Sequence, residues 1–275
     1  MIVKKIKSLL NMDVFKVIEP SKNKIPFILS IPHSGTNIPS DKLNFYNKEQ
    51  LKLKEDTDWY LDQLYDFAPK LGITTIMANY SRWLVDLNRN PNNEALYSDG
   101  RIITSVCPTT NFNGNPIYIE NHKIDELEIS QRIESYFLPY HKHINYLIHN
   151  LIEKFPAVII WDAHSIKRNV PTIYSQSFPD LIIGNNDDKS CDKKLTEIVH
   201  NQLSKSGLNI TRNHPFKGGY ITRSFGYPKN NMNAIQLEMS KDLYMSENET
   251  KYDFKKANKI KNILESTFIE LIKNL

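Results

Sequence analysis

Apolar residues fall into short runs bounded by turn-forming residues, at FILSI (27–31), ITTIMA (73–78), AVIIWDA (157–163), DLIIG (180–184), LNIT (208–211) and NAIQLEM (233–239). Runs of this length predict buried strands. Between several of them the spacing lengthens to that of amphipathic helices. Residues 47–67 carry Leu51, Trp59, Tyr60, Leu64 and Phe67, and residues 190–206 place Leu195, Ile198, Val199 and Leu203 on one stripe closed by Gly207. A helix over about 125–153 with a break near Pro139, and a terminal helix over 252–274 with Ile263, Phe268, Leu271 and Ile272 inward, complete the pattern. Strands alternating with helices predict a three-layer α/β domain with a largely parallel or mixed sheet. The stretch 90–124, rich in Asn, Pro, Thr and Gly, reads as a long loop, and long loops in compact domains are often functional.

Composition narrows the class without naming it. With 275 residues, 40% hydrophobic and 24% charged, the chain reads as a single domain over 1–275. Its formal charge of +4 comes from 35 basic and 31 acidic residues, and the lysines are scattered rather than striped, which argues against nucleic acid as a partner. Cys107 and Cys191 stand far apart in no C-x-x-C pair, so neither a disulfide framework nor a cysteine zinc cage is expected. The opening MIVKKIKSLLNMDVF is basic and amphipathic, but short, charged and without a small-residue cleavage site. No stretch approaches the roughly 18 apolar residues of a membrane span. The expectation is a soluble cytoplasmic protein.

Candidate chemistry gathers at strand ends. FILSI delivers His33 just past a buried run, and AVIIWDAHSI repeats the device with Asp162 and His164. A lone histidine there is more often a satisfied hydrogen-bonding group, but two in one context can meet at the edge where open α/β sheets keep their ligands. Hydrolytic zinc sites take two histidines and a carboxylate, leaving a position for water. KEDTDWYLDQLY offers Glu55, Asp56, Asp58 and Asp62 for the third ligand, although such a run usually solvates an exposed helix face. In NAIQLEMS the two-residue period puts Gln236 and Glu238 opposite Ile235, Leu237 and Met239. A carboxylate in so apolar a strand either pairs with an arginine or, with its pKa raised by burial, serves as a general base. Arg82, Arg89 and Arg223 suit an acidic substrate, since the guanidinium fork matches a carboxylate.

The ordered set HSG, DTDW, SRWLVDLNR, WDAHS, KGGYITR and QLEM, spread over about residues 25–245, resembles the N-formylglutamate amidohydrolase family. That family is similar in fold to zinc carboxypeptidases and aspartoacylase, which implies an α/β sandwich around a mixed sheet. The resemblance implies one zinc per chain held by His33 and His164, with Glu238 as general base. It further implies that Asn88 and Arg89 receive a substrate carboxylate and that Arg82 stabilises the oxyanion. Arg223 would take a second carboxylate, with Ser34 and Gly219 as further substrate contacts. Carboxypeptidases and aspartoacylase draw another ligand from a Glu three places after the first histidine, where this chain has Thr36. The acid must come from elsewhere, and Asp56 is preferred over Asp58. The implied reaction is hydrolysis of N-formyl-L-glutamate to formate and L-glutamate, late in histidine breakdown. The rivals are hydrolysis of another N-acyl amino acid or small peptide, and a binding protein for acidic metabolites.

Overall fold

The computed structural model describes residues 14–53, 55–94, 96 and 104–275. The amphipathic opening, apart from its last two residues, and residues 95 and 97–103 of the expected loop lie outside them. Seven strands, β1 (Phe15–Ile18), β2 (Phe27–Ile31), β3 (Thr74–Ala78), β4 (Val158–Ile166), β5 (Leu181–Gly184), β6 (Ile210–Arg212) and β7 (Met232–Ser240), form one sheet in the order β1-β3-β2-β4-β7-β5-β6. The neighbours β3, β2, β4 and β7 run parallel, while β1 joins β3 and β5 joins β7 antiparallel, so the sheet is mixed. Each of the six expected strands is present within a few residues of its expected ends. The half-buried edge strand β1 is the addition, and its FKVI is too short and too exposed to stand out as an apolar run.

Side-chain alternation gives the central strands two apolar faces. Leu29, Trp161 and Leu237 pack on one side with helices α2 (Leu61–Leu64), α5 (Lys193–Ser204) and α7 (Phe254–Ile272). Ile28, Ile160 and Ala234 pack on the other with α4 (Leu138–Ile152) and α6 (Tyr220–Phe225). This is the three-layer sandwich that the alternation of elements predicts. Asp192 and Asp253 cap α5 and α7 by accepting backbone N–H bonds in the first turn. The helix expected over 125–153 is α3 (Glu126–Arg132), a π turn (Ile133–Phe137) and α4, and the π turn admits Pro139 in the first turn of α4.

The segment 47–67 departs from the single amphipathic helix its pattern predicts. It divides into α1 (Lys48–Leu53) and α2, with Asp56, Thr57 and Asp58 in the loop between, and Tyr60 in the left-handed region at φ 61°. Backbone groups there bond outside any helix: Asp58 N–H donates to the His33 carbonyl at 3.0 Å, and the Glu55 carbonyl accepts from Lys241 Nζ at 3.0 Å. Among the described residues of 90–124 there is no helix or strand. No helix among the described residues is long and apolar enough to cross a membrane.

Candidate metal and substrate site

The chain order places a topological switch between β2 and β4: β3 lies on one side of β2, and the chain then crosses back to lay β4 on the other. Open sheets keep ligands in the crevice outside the carboxyl ends of strands at such a point. His33, two residues past β2, and His164, near the end of β4, flank it. Their Nδ1 atoms are 3.2 Å apart, and Asp58 Oδ2 lies 3.1 Å from His164 Nδ1 and 3.7 Å from His33 Nδ1. All three side chains are buried. Two imidazoles and a carboxylate with converging donor atoms fit a zinc-type centre.

The far side of each ring strengthens that fit. His33 Nε2 lies 2.8 Å from Asp86 Oδ1, and His164 Nε2 lies 3.1 Å from Asp162 Oδ1, a buried oxygen with no hydrogen bond. At His33 an Nε2–H donated to Asp86 leaves the Nδ1 lone pair for a cation, the usual arrangement behind ligating histidines, while His164 Nε2 also lies 2.9 Å from Asn88 Nδ2. Burial would raise the Asp58 pKa, but the hydrogen bond with His164 and the nearby His33 ring hold it well below the usual carboxylate range. Burial would likewise lower that of His164, but Asp162 and Asp58 hold it well above an ordinary imidazole. Asp86 is fully buried and is kept ionised by Arg82, whose Nη2 donates to it at 2.7 Å, and by His33.

Asp56, expected as the third ligand, is not brought to the histidines, and Asp58 stands there instead. The Asp56 carboxylate accepts Trp83 Nε1 at 2.8 Å and the Phe112 backbone N–H at 3.1 Å. Burial pushes its pKa up, and Arg82 opposes the shift. Asp56 thus fastens the loop bearing Phe112 to the loop bearing Asp58.

A cavity opens over the cluster, lined by His33, His164, Arg82, Arg89, Gln236 and Glu238 and walled by Phe112, Ile166, Ile173 and Phe216. Glu238 lies beside His164 in the β4–β7 register. Burial pushes its pKa up to about 8, with Asp58 adding to the rise and His164 opposing it.

The expected substrate contacts divide. Arg82 lines the cavity, stacked 4.6 Å above the Phe112 ring, and Arg89 has a buried Nε without a hydrogen bond. Asn88 lines the cavity too, but its Nδ2 donates to Asp162 Oδ2 at 3.0 Å and its Oδ1 accepts Ile221 N–H at 2.7 Å. Gly219 presses so close to that amide that a Cβ would collide with it. Ser34 and Arg223 do not line the cavity, and Arg223 Nε donates to the Gly218 carbonyl at 2.9 Å. Sequence reading gave no role to Asp86, Phe112 or Gln236. Asp86 stands between Arg82 and Arg89 in SRWLVDLNR, and Gln236 shares the polar face of Glu238.

A mixed α/β sandwich with two histidines and an aspartate at its switch point defines the class. The N-formylglutamate amidohydrolase family model matches residues 25–245, and the chain belongs to that family. It is 34% identical over 235 residues to an N-formylglutamate deformylase of Pseudomonas putida, covering 85% of this chain and 87% of that protein. It is 35% identical over 233 residues to an N-formylglutamate deformylase of Pseudomonas aeruginosa, covering 84% and 86%. Among solved structures, an N-formylglutamate amidohydrolase from Ralstonia eutropha superposes with a TM-score of 0.79 at 25% identity, covering 94% of this chain and 97% of that one. A gene product of Agrobacterium tumefaciens shares the fold at 19% identity, with a TM-score of 0.73 and 94% of each chain covered.

Proposed function

We propose that this protein is a zinc-dependent deformylase that hydrolyses N-formyl-L-glutamate to formate and L-glutamate. The observation that carries the reading is the convergence of His33, Asp58 and His164 at the wall of a cavity that Glu238 also lines, in a chain whose relatives are N-formylglutamate deformylases. One zinc held by the two Nδ1 atoms and the Asp58 carboxylate would supply Lewis acidity, making water a stronger acid and the formyl carbon a better electrophile.

The side chains supply the rest. Glu238 takes a proton from the attacking water, whose oxygen bonds to the formyl carbon. Arg82, anchored by Asp86, holds the developing oxyanion. Glu238 then gives its proton to the nitrogen as the C–N bond breaks, and formate and the free amine leave. Arg89 receives the α-carboxylate, and Asn88, tied to Asp162 and Ile221, fixes the backbone from which Arg89 projects. The reaction is assigned to the cytoplasm on the composition of the chain, and to a late step of histidine breakdown on the family resemblance.

The test is glutamate release from N-formyl-L-glutamate by zinc-loaded protein, beside N-acetyl-L-glutamate and a small peptide. Release confined to the formyl substrate supports the reading. Faster turnover of a larger acyl group moves the site to another N-acyl amino acid, and no turnover by folded, zinc-loaded protein leaves a binding protein.

A further inference from the structure

We infer that Gln236 is a specificity-determining residue, donating its side-chain N–H to the carboxylate at the end of the substrate's side chain; the inference rests on the deformylase reading above. Gln236 and Glu238 are two apart in β7 and project from the same face of the sheet. Glu238 is level with His164 of β4, whereas Gln236 is level with Asp162, one pleat further from the carboxyl edge. Gln236 is 5% exposed and lines the cavity.

The orientation of its amide follows from one bond. The Gly219 backbone N–H donates to Gln236 Oε1 at 2.8 Å, and an N–H can be accepted only by the oxygen. The two N–H groups of Nε2 then have no partner among the described residues and are left for the cavity.

Distances select the substrate group. Two residues of strand span about 6.6 Å. In an extended N-formylglutamate, five bonds separate the formyl carbon from the side-chain carboxylate, about 6 Å, but only three separate it from the α-carboxylate. With the formyl carbon beside Glu238 and His164, the far carboxylate reaches Gln236 and the near one is left to Arg89. Ile166, Ile173 and Phe216 give the same cavity an apolar wall suited to the methylenes of such a substrate. A hydrogen bond from a neutral donor to a buried carboxylate changes affinity by roughly 10- to 100-fold.

The experiment compares zinc-loaded wild type with Gln236→Met, which removes the donor, and Gln236→Glu, which keeps an acceptor for Gly219 N–H but turns the donor into an acceptor. Binding of L-glutamate and L-glutamine is measured by calorimetry, hydrolysis of their N-formyl derivatives by kinetics, and folding by melting temperature. Gln236→Met is expected to raise Kd for L-glutamate and KM for N-formyl-L-glutamate by roughly 10- to 100-fold, with kcat within about 3-fold and a clearly smaller loss in the glutamine series, whose neutral amide oxygen accepts the same N–H more weakly. Gln236→Glu is expected to reverse the preference toward N-formyl-L-glutamine. Equal losses for the two series, a loss confined to kcat, or wild type that does not favour L-glutamate over L-glutamine would overturn the inference. Wild type that binds L-glutamate through Gln236 yet releases no product overturns the deformylase reading and leaves this inference standing.

Discussion

His33 and His164 present their Nδ1 atoms to each other across 3.2 Å from the ends of two adjacent parallel strands. At that distance two bare lone pairs repel and two N–H groups collide, so the pair requires a shared proton or a cation. The Asp58 carboxylate closes the third side, and its negative charge favours the cation. The fold brings the rings together at the switch between β2 and β4, where His33 follows directly from FILSI.

Replacing the two acids of DTDW separately distinguishes their roles. Asp58→Asn is expected to lower zinc stoichiometry after dialysis and to abolish activity. Asp56→Asn is expected to keep its zinc but to lose about 1–3 kcal/mol of stability, because a neutral amide serves Trp83 Nε1 and Phe112 N–H less well. Metal analysis and urea unfolding of both variants check this. Zinc loss in Asp56→Asn with retention in Asp58→Asn would reverse the assignment.

The carboxylates behind the histidines have a graded effect. Asp86→Asn and Asp162→Asn leave every proposed ligand in place but weaken the orientation of its ring. Zinc affinity is expected to fall by about 10- to 100-fold in each, measured by competition with a chelator. Asp86→Asn should also impair turnover at saturating zinc, because Arg82 loses its 2.7 Å anchor. Unchanged affinity in both would mean that the rings are held by packing alone.

How much of this was legible in the sequence depends on whether a residue's role is local. His33, His164 and Glu238 stand in or beside strands, where an apolar run and a two-residue period fix which way a side chain faces. The third acid was not legible, because Asp56 and Asp58 share a loop without a period. Their division is made by Trp83, 27 residues away, and Phe112, 56 residues away. Pattern in 47–67 suggested one helix, and the tertiary bonds of Asp58 N–H and the Glu55 carbonyl broke it. Arg223 was expected at the cavity because arginine suits a carboxylate, but α6 starts directly after Gly219 and turns Arg223 back onto the Gly218 carbonyl.

Glu238→Gln removes the proposed proton carrier and little else, since the amide matches the carboxyl in shape. Activity on N-formyl-L-glutamate is expected to drop by about 10²- to 10⁴-fold in kcat, with KM and bound zinc nearly unchanged. Steady-state kinetics beside metal analysis checks it. Turnover within a few-fold of wild type would remove Glu238 from the chemistry.

A third histidine sets a pH dependence of stability away from the metal cluster. His141 is buried between the rings of Phe137 and Phe225, and its Nε2 donates to the Leu87 carbonyl at 2.8 Å. Burial pushes its pKa down to about 4 from an ordinary 6.5, with the Leu87 bond opposing the shift. Between those values the unfolded chain binds a proton that the folded chain does not, so stability falls as pH drops from about 6.5 to 4 and is independent of this group above 6.5. By pH 4.5 the loss from this one group amounts to roughly 2–3 kcal/mol. His141→Phe is expected to cost about 1 kcal/mol at pH 7 for the lost hydrogen bond but to lose that much less on acidification. Urea unfolding of both proteins at pH 7 and 4.5 measures the difference, in which titration of the other groups cancels. The same acid sensitivity in both would show that His141 titrates alike in the folded and unfolded chain, and the neutral ring packed against Leu87 would then be wrong.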